Sequence, residues 1–312
     1  MSNFGLSLTN GRRIAILKTQ TKKNNQYIYL YNPKYICSSD CKNDKTCKCS
    51  GSSSSSEGLD LASLRSKLGS CDTLKYHKGY DGRLHQTLNS PPNSKFMVAP
   101  TNIVHSVSNL FVTGSQGSGK SVFCKDYLKV FLEIYKQAPI FLISEGEKDE
   151  VLDPYISKRI MPSSIIEEDL KFSDFQDIAE EYEAIAIIFD DIDALPSDKK
   201  NGFLKKRVYE LMNSIINNSR KYRIHVLFTS HNAMEGAYTG TMIRSCSNWV
   251  FFTGTINKNI ERCAINYFDF TKPQFNRLKE LAEKENSHWI SVATTIPKVI
   301  ITEHSIFKLE DL

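Results

Sequence analysis

No stretch of these 312 residues approaches the roughly 18 consecutive apolar residues of a membrane-spanning helix, so no direct membrane span is expected. The first ten residues lack the apolar core of a secretory leader, and a cytosolic chain, or a nuclear one, is expected. Internal repetition is absent too, which argues against solenoids and propellers. The cysteines lack the C-x2-C pairs of common zinc modules. What remains is ordinary for a globular protein: 40% hydrophobic and 24% charged residues, in a length that buries one large core or a core with a small appendage.

The net charge of +5 is unevenly distributed. Residues 1–100 carry a net +9 and residues 101–312 a net −4. A basic front on a slightly acidic body points to an anionic partner, with nucleic acid the first candidate. A solvated, Lys-rich surface is the plainer alternative.

Texture divides the chain near residue 96. In the front part, residues 13–18 and 26–31 alternate like the two strands of a hairpin. A cysteine cluster and a Ser-rich linker follow. Residues 60–68 read as one short helix, and 69–95 show no clear pattern. Beyond 96, short and almost wholly apolar runs (109–113, 139–144, 185–189, 224–229 and 249–253) alternate with amphipathic helical patterns at 120–137 and 203–218. That is the signature of α/β architecture with a mostly parallel sheet buried on both faces. A helix at 273–285 and strands at 288–293 and 298–302 close the chain. The expected domains are a basic, β-rich region at 1–95 and an α/β domain at 96–312.

The strongest motif is Gly114-Ser115-Gln116-Gly117-Ser118-Gly119-Lys120-Ser121, a full G-x-x-x-x-G-K-[ST] phosphate loop between a strand and a helix. The glycines let successive N–H groups turn inward as an anion nest, and the helix start adds its positive dipole end. Lys120 is the expected partner of the β- and γ-phosphates of ATP, and Ser121 of Mg²⁺. Some seventy residues on, the apolar run 185–189 ends in Asp190-Asp191. Asp190 is expected to hold a Mg²⁺-bound water and Asp191 to polarise the attacking water. Translocating ATPases often carry Glu at that second position, and the shorter Asp191 must come closer to its water.

These residues resemble the FtsK/HerA superfamily, and within it the genome-packaging ATPases of large nucleocytoplasmic DNA viruses and their virophages. The resemblance is carried by FVTGSQGSGKS, IIFDDID, LMNSIINNSRKYR running into IHVLFTSH, and MIRSCSNWVFF. It covers about half of the chain and none of residues 1–95. It implies a RecA/FtsK-HerA-like P-loop fold and an ATP-hydrolysing translocase of double-stranded DNA. The implied setting is the host cytoplasm (a viral factory) or the virion, with capsid or membrane proteins of the virion as further partners. It also implies a polar sensor at the end of the strand after the acidic pair, a place taken by His231 with Ser230 beside it. A helix cap or plain surface histidine is the alternative there. Finally, it implies ring homo-oligomers, hexameric or pentameric, in which an Arg completes the neighbour's site. Arg244 is the candidate for that role, with Arg220 and Arg223 as substitutes.

Two features stay open. Lys199, Lys200, Lys205, Lys206 and Arg207 form a basic run that fits DNA phosphates or an exposed helix start equally well. Cys37, Cys41, Cys47 and Cys49 offer four thiolates for Zn²⁺, with Cys71, His77 and His85 as substitute ligands; disulfides in a virion, or no role, are the other readings. Other P-loop enzymes, a helicase or a nucleotide kinase, remain alternatives, although the Arg cluster of a kinase lid is missing after Asp191. A nucleotide-gated adaptor without fast turnover is a third, and the intact acidic pair argues against it.

Overall fold

The computed structural model describes residues 5–7, 11–19, 26–31, 74–78, 84–103, 106–146, 148–195, 202–234 and 239–312. The front of the chain supplies β1 (Gly5–Ser7), β2 (Arg12–Thr19), β3 (Gln26–Tyr31), β4 (Leu74–Lys78), β5 (Leu84–Asn89) and β6 (Ser94–Val98). The expected hairpin is present: β2 and β3 pair antiparallel, with a register shift between Arg13 and Ala15. With β1 and β6 they form a four-stranded sheet in the order β1-β3-β2-β6. Residues 74–78 and 84–89, in the stretch that shows no pattern in sequence, are strands that join the other sheet.

After β6 the chain alternates as its texture indicates. It forms β7 (Leu110–Thr113), α1 (Lys120–Ile134), β8 (Ile140–Ile143), β9 (Lys158–Ile160), α2 (Ser164–Glu167), α3 (Phe172–Glu181), β10 (Ile185–Phe189), α4 (Gly202–Tyr222), β11 (Ile224–Ser230), α5 (Thr239–Ser245) and β12 (Asn248–Phe252). Then come α6 (Lys258–Tyr267), α7 (Lys272–Lys284), β13 (Trp289–Ala293), β14 (Val299–Thr302) and β15 (Ser305–Lys308). The eleven-stranded sheet runs β4-β5-β15-β14-β13-β12-β7-β11-β10-β8-β9. From β12 to β9 every neighbour is parallel. Beyond β12 the sheet continues antiparallel through β13, β14, β15 and β5 to β4.

Residue alternation divides the core in two. On β10, Ile185, Ile187 and Phe189 belong to the core that α3, α4, α6 and α7 line, whereas Ala186 and Ile188 belong to the core that includes α1. The same alternation holds on β7, where Phe111 joins the first core and Leu110 and Val112 the second. The small sheet contributes Ile14, Ile16, Ile28 and Met97 to the α1 side, so it covers the face that α1 leaves open. Both faces are dry, which explains strands with no polar alternation. Because β7, β11 and β10 are adjacent and parallel, their C-terminal ends gather the phosphate loop, residues 229–231 and the acidic pair at one edge.

Candidate nucleotide site

The loop between β7 and α1 has the backbone that an anion nest requires. Gly117 and Gly119 have φ of +74° and +105°, values a side chain disfavours. Gly114 is required for space instead: a Cβ there would lie 2.5 Å from Ser118 Oγ and 2.8 Å from Phe252 Cδ2. The loop is anchored at its base, where the Gly114 N–H donates to the Ser230 carbonyl of β11 at 3.0 Å. On the other side Trp249 Nε1 donates to Thr113 Oγ1 at 2.9 Å, which ties β7 to β12. Ser118 Oγ is buried without a protein partner, a spare donor within the loop. Ser115, Gln116, Gly117, Ser118 and Gly119 complete the turn, and Ser121 follows Lys120 in the first turn of α1, half-buried. Hard oxygen donors, inward-turned amides and a buried cation fit a Mg²⁺-nucleoside triphosphate.

Lys120 is only 8% exposed, and its ammonium has three near partners. It donates to the Gly114 carbonyl at 2.9 Å and to His231 Nδ1 at 3.1 Å, and it lies 3.5 Å from Asp191 Oδ1. An ammonium has donors only, so His231 Nδ1 is an acceptor and the ring proton sits on Nε2. Nε2 is 3.0 Å from Asp191 Oδ2. His231 thus bridges the loop lysine and the second acidic residue.

Asp190 follows the α1-facing residues of β10. It accepts from Thr229 Oγ1 at 2.7 Å and from Ser144 Oγ at 3.3 Å. Burial raises its pKa above the ordinary carboxylate value, with Asp191 and Asp149 adding to the rise, while the Thr229 hydrogen bond and Lys120 oppose it. Strand alternation alone would turn Asp191 away from α1. Its left-handed backbone (φ 48°, ψ 33°) redirects it, so its carboxylate meets Lys120 and His231 instead. Asp193, one residue into the following turn, accepts from Ser230 Oγ at 2.5 Å, and its pKa is also raised, chiefly by burial.

The structure therefore brings Lys120, Asp190, Asp191 and His231 together. It does not bring the arginines to them. Arg220 and Arg223 precede β11 and Arg244 precedes β12, at the sheet edge opposite the phosphate loop, and all three are exposed. Of the basic run, Lys205 is turned inward and donates to the carbonyls of Asp193 and Leu195 at 2.8 and 3.2 Å. Arg207 pairs with Asp169 and Glu210 at 3.0 and 3.6 Å, and Lys206 lies 3.9 Å from Glu210. Lys199 and Lys200 fall outside the described residues, as do Cys37, Cys41, Cys47, Cys49 and Cys71. His77 and His85 are register partners on β4 and β5. Among the described residues no cluster of three metal-ligating side chains occurs. Sequence reasoning missed Thr229 and Ser144. A polar residue two before His231 on a mostly apolar strand was the available signal, since 225, 227, 229 and 231 share one face.

A phosphate loop at the tip of β7, an acidic pair at the tip of β10 and a strand between them settle the class. The fold is that of a P-loop NTPase. No family model matches the chain. Over 215 residues it is 26% identical to the uncharacterized protein V3 of Sputnik virophage, a match covering 68% of this chain and 81% of that one. Structures with a similar fold include B204, the DNA-packaging ATPase of Sulfolobus turreted icosahedral virus. The two are 12% identical, with a TM-score of 0.44 over 63% of this chain and 96% of B204. Another is the pCW3 conjugation coupling protein TcpA, at 10% identity and TM-score 0.43 over 95% of this chain and 77% of TcpA.

Proposed function

We propose that the chain is an ATP-hydrolysing translocase of double-stranded DNA that packages a viral genome into its capsid. The observation that carries the hydrolytic part is the Lys120–His231–Asp191 cluster beside Asp190. All three donors of Lys120 have partners inside the site, so an incoming β/γ-phosphate must replace His231 and Asp191 on the ammonium. The exchange leaves Asp191 facing the γ-phosphate end with His231 Nε2–H still on its second oxygen. That contact orients the carboxylate to hold an attacking water and take its proton. Ser121 and Asp190 are the residues placed to hold Mg²⁺, which when bound would neutralise charge developing on the phosphate oxygens. His231 is then the group that feels whether Lys120 is held by phosphate or by the protein, as the sensor reading requires.

The DNA part rests on the sequence motifs that resemble packaging ATPases and on the net +9 of residues 1–100. The match to a virophage protein supports a viral setting. Rings of five or six copies, with Arg244 reaching a neighbour's site, follow from the same resemblance. An exposed Arg244 remote from its own phosphate loop supports action across a subunit contact. Turnover of ATP measured with and without double-stranded DNA, together with mass in solution, tests the whole reading.

A further inference from the structure

We propose that Thr229 is the positioning residue of the acidic pair: its one hydroxyl sets both the Asp190 carboxylate and the backbone turn that aims Asp191. Thr229 is 1% exposed, near the end of β11. The parallel register pairs Phe228 with Phe189, so the next residue on each strand, Thr229 and Asp190, lie side by side. Leu227 belongs to the α1-side core, and strand alternation puts Thr229 on that face as well.

The hydroxyl's one proton and one of its lone pairs both go to the acidic pair. Its proton points to Asp190 Oδ1 at 2.7 Å rather than to Asp191 Oδ1 at 3.3 Å. A lone pair accepts the Asp191 N–H at 2.9 Å. That second bond falls at the residue with φ of 48°, a left-handed conformation that disfavours a side chain and persists only where surroundings hold it. With a methyl in place of the hydroxyl, the Asp191 N–H loses this partner and the turn loses its anchor. Asp190 is left with the longer Ser144 contact alone. Thr229 acts through the two aspartates that its hydroxyl contacts.

The proposal rests on the reading of the site as a Mg²⁺-dependent nucleotide hydrolase but not on DNA as the partner. Its test uses two opposite substitutions. Thr229→Val keeps the methyl and loses the hydroxyl, and Thr229→Ser does the reverse. The readouts are affinity for a non-hydrolysable ATP analogue in EDTA and in Mg²⁺, then kcat and KM for ATP. The expectation is unchanged affinity in EDTA for both variants, because the nest and Lys120 are untouched. In Thr229→Val the tightening by Mg²⁺ shrinks and kcat falls by roughly 10–100-fold, the scale of a lost hydrogen bond to a charged group. Thr229→Ser stays near wild type. If valine does not yield folded protein, Thr229→Ala provides the same loss of hydroxyl. A hydroxyl-free variant with wild-type Mg²⁺ response and kcat would overturn the proposal, as would serine and valine failing alike. Wild-type protein whose nucleotide affinity ignores Mg²⁺ would instead overturn the underlying site reading, and this proposal with it.

Discussion

At the scale of single residues, the site gathers like charges that the fold alone would not favour. Asp190, Asp191 and Asp193 lie within four positions, and burial raises the pKa of the first and third. A carboxyl whose folded pKa exceeds its unfolded value binds its proton more tightly in the native state. Stability from that group is therefore lost as pH rises from the ordinary carboxylate range through the raised value. At neutral pH the ionised Asp190 opposes folding. Asp190→Asn is expected to raise the melting temperature of nucleotide-free protein at pH 7 while abolishing the Mg²⁺-dependent part of nucleotide binding. The stabilisation should fade as pH falls below the ordinary carboxylate value of 3.8, where both states of the wild type become protonated. A melting temperature lowered at pH 7 contradicts this assignment. Lys120 and Asp191 separate binding from chemistry. Lys120→Ala should lose nucleotide binding, because the loop has no other buried cation. Asp191→Asn should bind ATP normally and hydrolyse it about 10²–10⁴-fold more slowly, the usual share of a general base. Normal turnover in Asp191→Asn with a dead Asp190→Asn would reverse the division of labour between them.

The phosphate loop works as an element because two strands brace it. Gly114 closes against Ser118 and Phe252, so Gly114→Ala forces a Cβ into contacts under 3 Å. The neighbouring strands remain buried, and we expect a folded protein whose affinity for nucleotide falls at least tenfold, read by titration of a fluorescent ATP analogue. Unchanged affinity would mean that the loop relaxes without consequence. How much of this was legible in sequence depends on where the determinants lie. The strands at 110–113, 140–143, 185–189, 224–230 and 248–252 declare themselves because burial on both faces leaves them mostly apolar. Asp190, Lys120 and the nest were legible because their spacing is set by local backbone geometry. Helix α3 and strands β4, β5 and β15 were not. The α3 sequence FSDFQDIAEE is mostly acidic and polar, and it is retained by Phe175 and Ala179 packing on the first core. Strands β5 and β15 owe their state to each other across more than two hundred residues, as Ser305 with Asn89 shows, and β4 pairs in turn on β5. The inward turn of Lys205 was equally hidden, since its partners are backbone carbonyls that composition does not reveal. Thr229 escaped notice for a similar reason. Its role depends on register with β10, a property of the sheet rather than of its own strand.

For the whole molecule, the functional groups fall at two opposite ends of the sheet. Lys120, Asp190, Asp191 and His231 occupy one edge of the sheet, and Arg220, Arg223 and Arg244 begin at the other. In the proposed ring a charge-stabilising Arg comes from a neighbour, a contribution worth roughly 10³–10⁵ in rate where such fingers operate. Arg244→Ala is expected to be inactive alone and to regain turnover when mixed with Lys120→Ala, because a mixed contact can combine an intact loop with an intact Arg. Zero turnover at every mixing ratio would remove Arg244 and leave Arg220 or Arg223. The central claim, a motor that couples ATP to duplex DNA, is tested most directly by one measurement: steady-state ATP turnover of the full chain, titrated with double-stranded DNA, with solution mass recorded at each point. The account predicts turnover that rises with DNA as the protein assembles into rings. A strictly monomeric protein hydrolysing ATP at the same rate with and without DNA would contradict it.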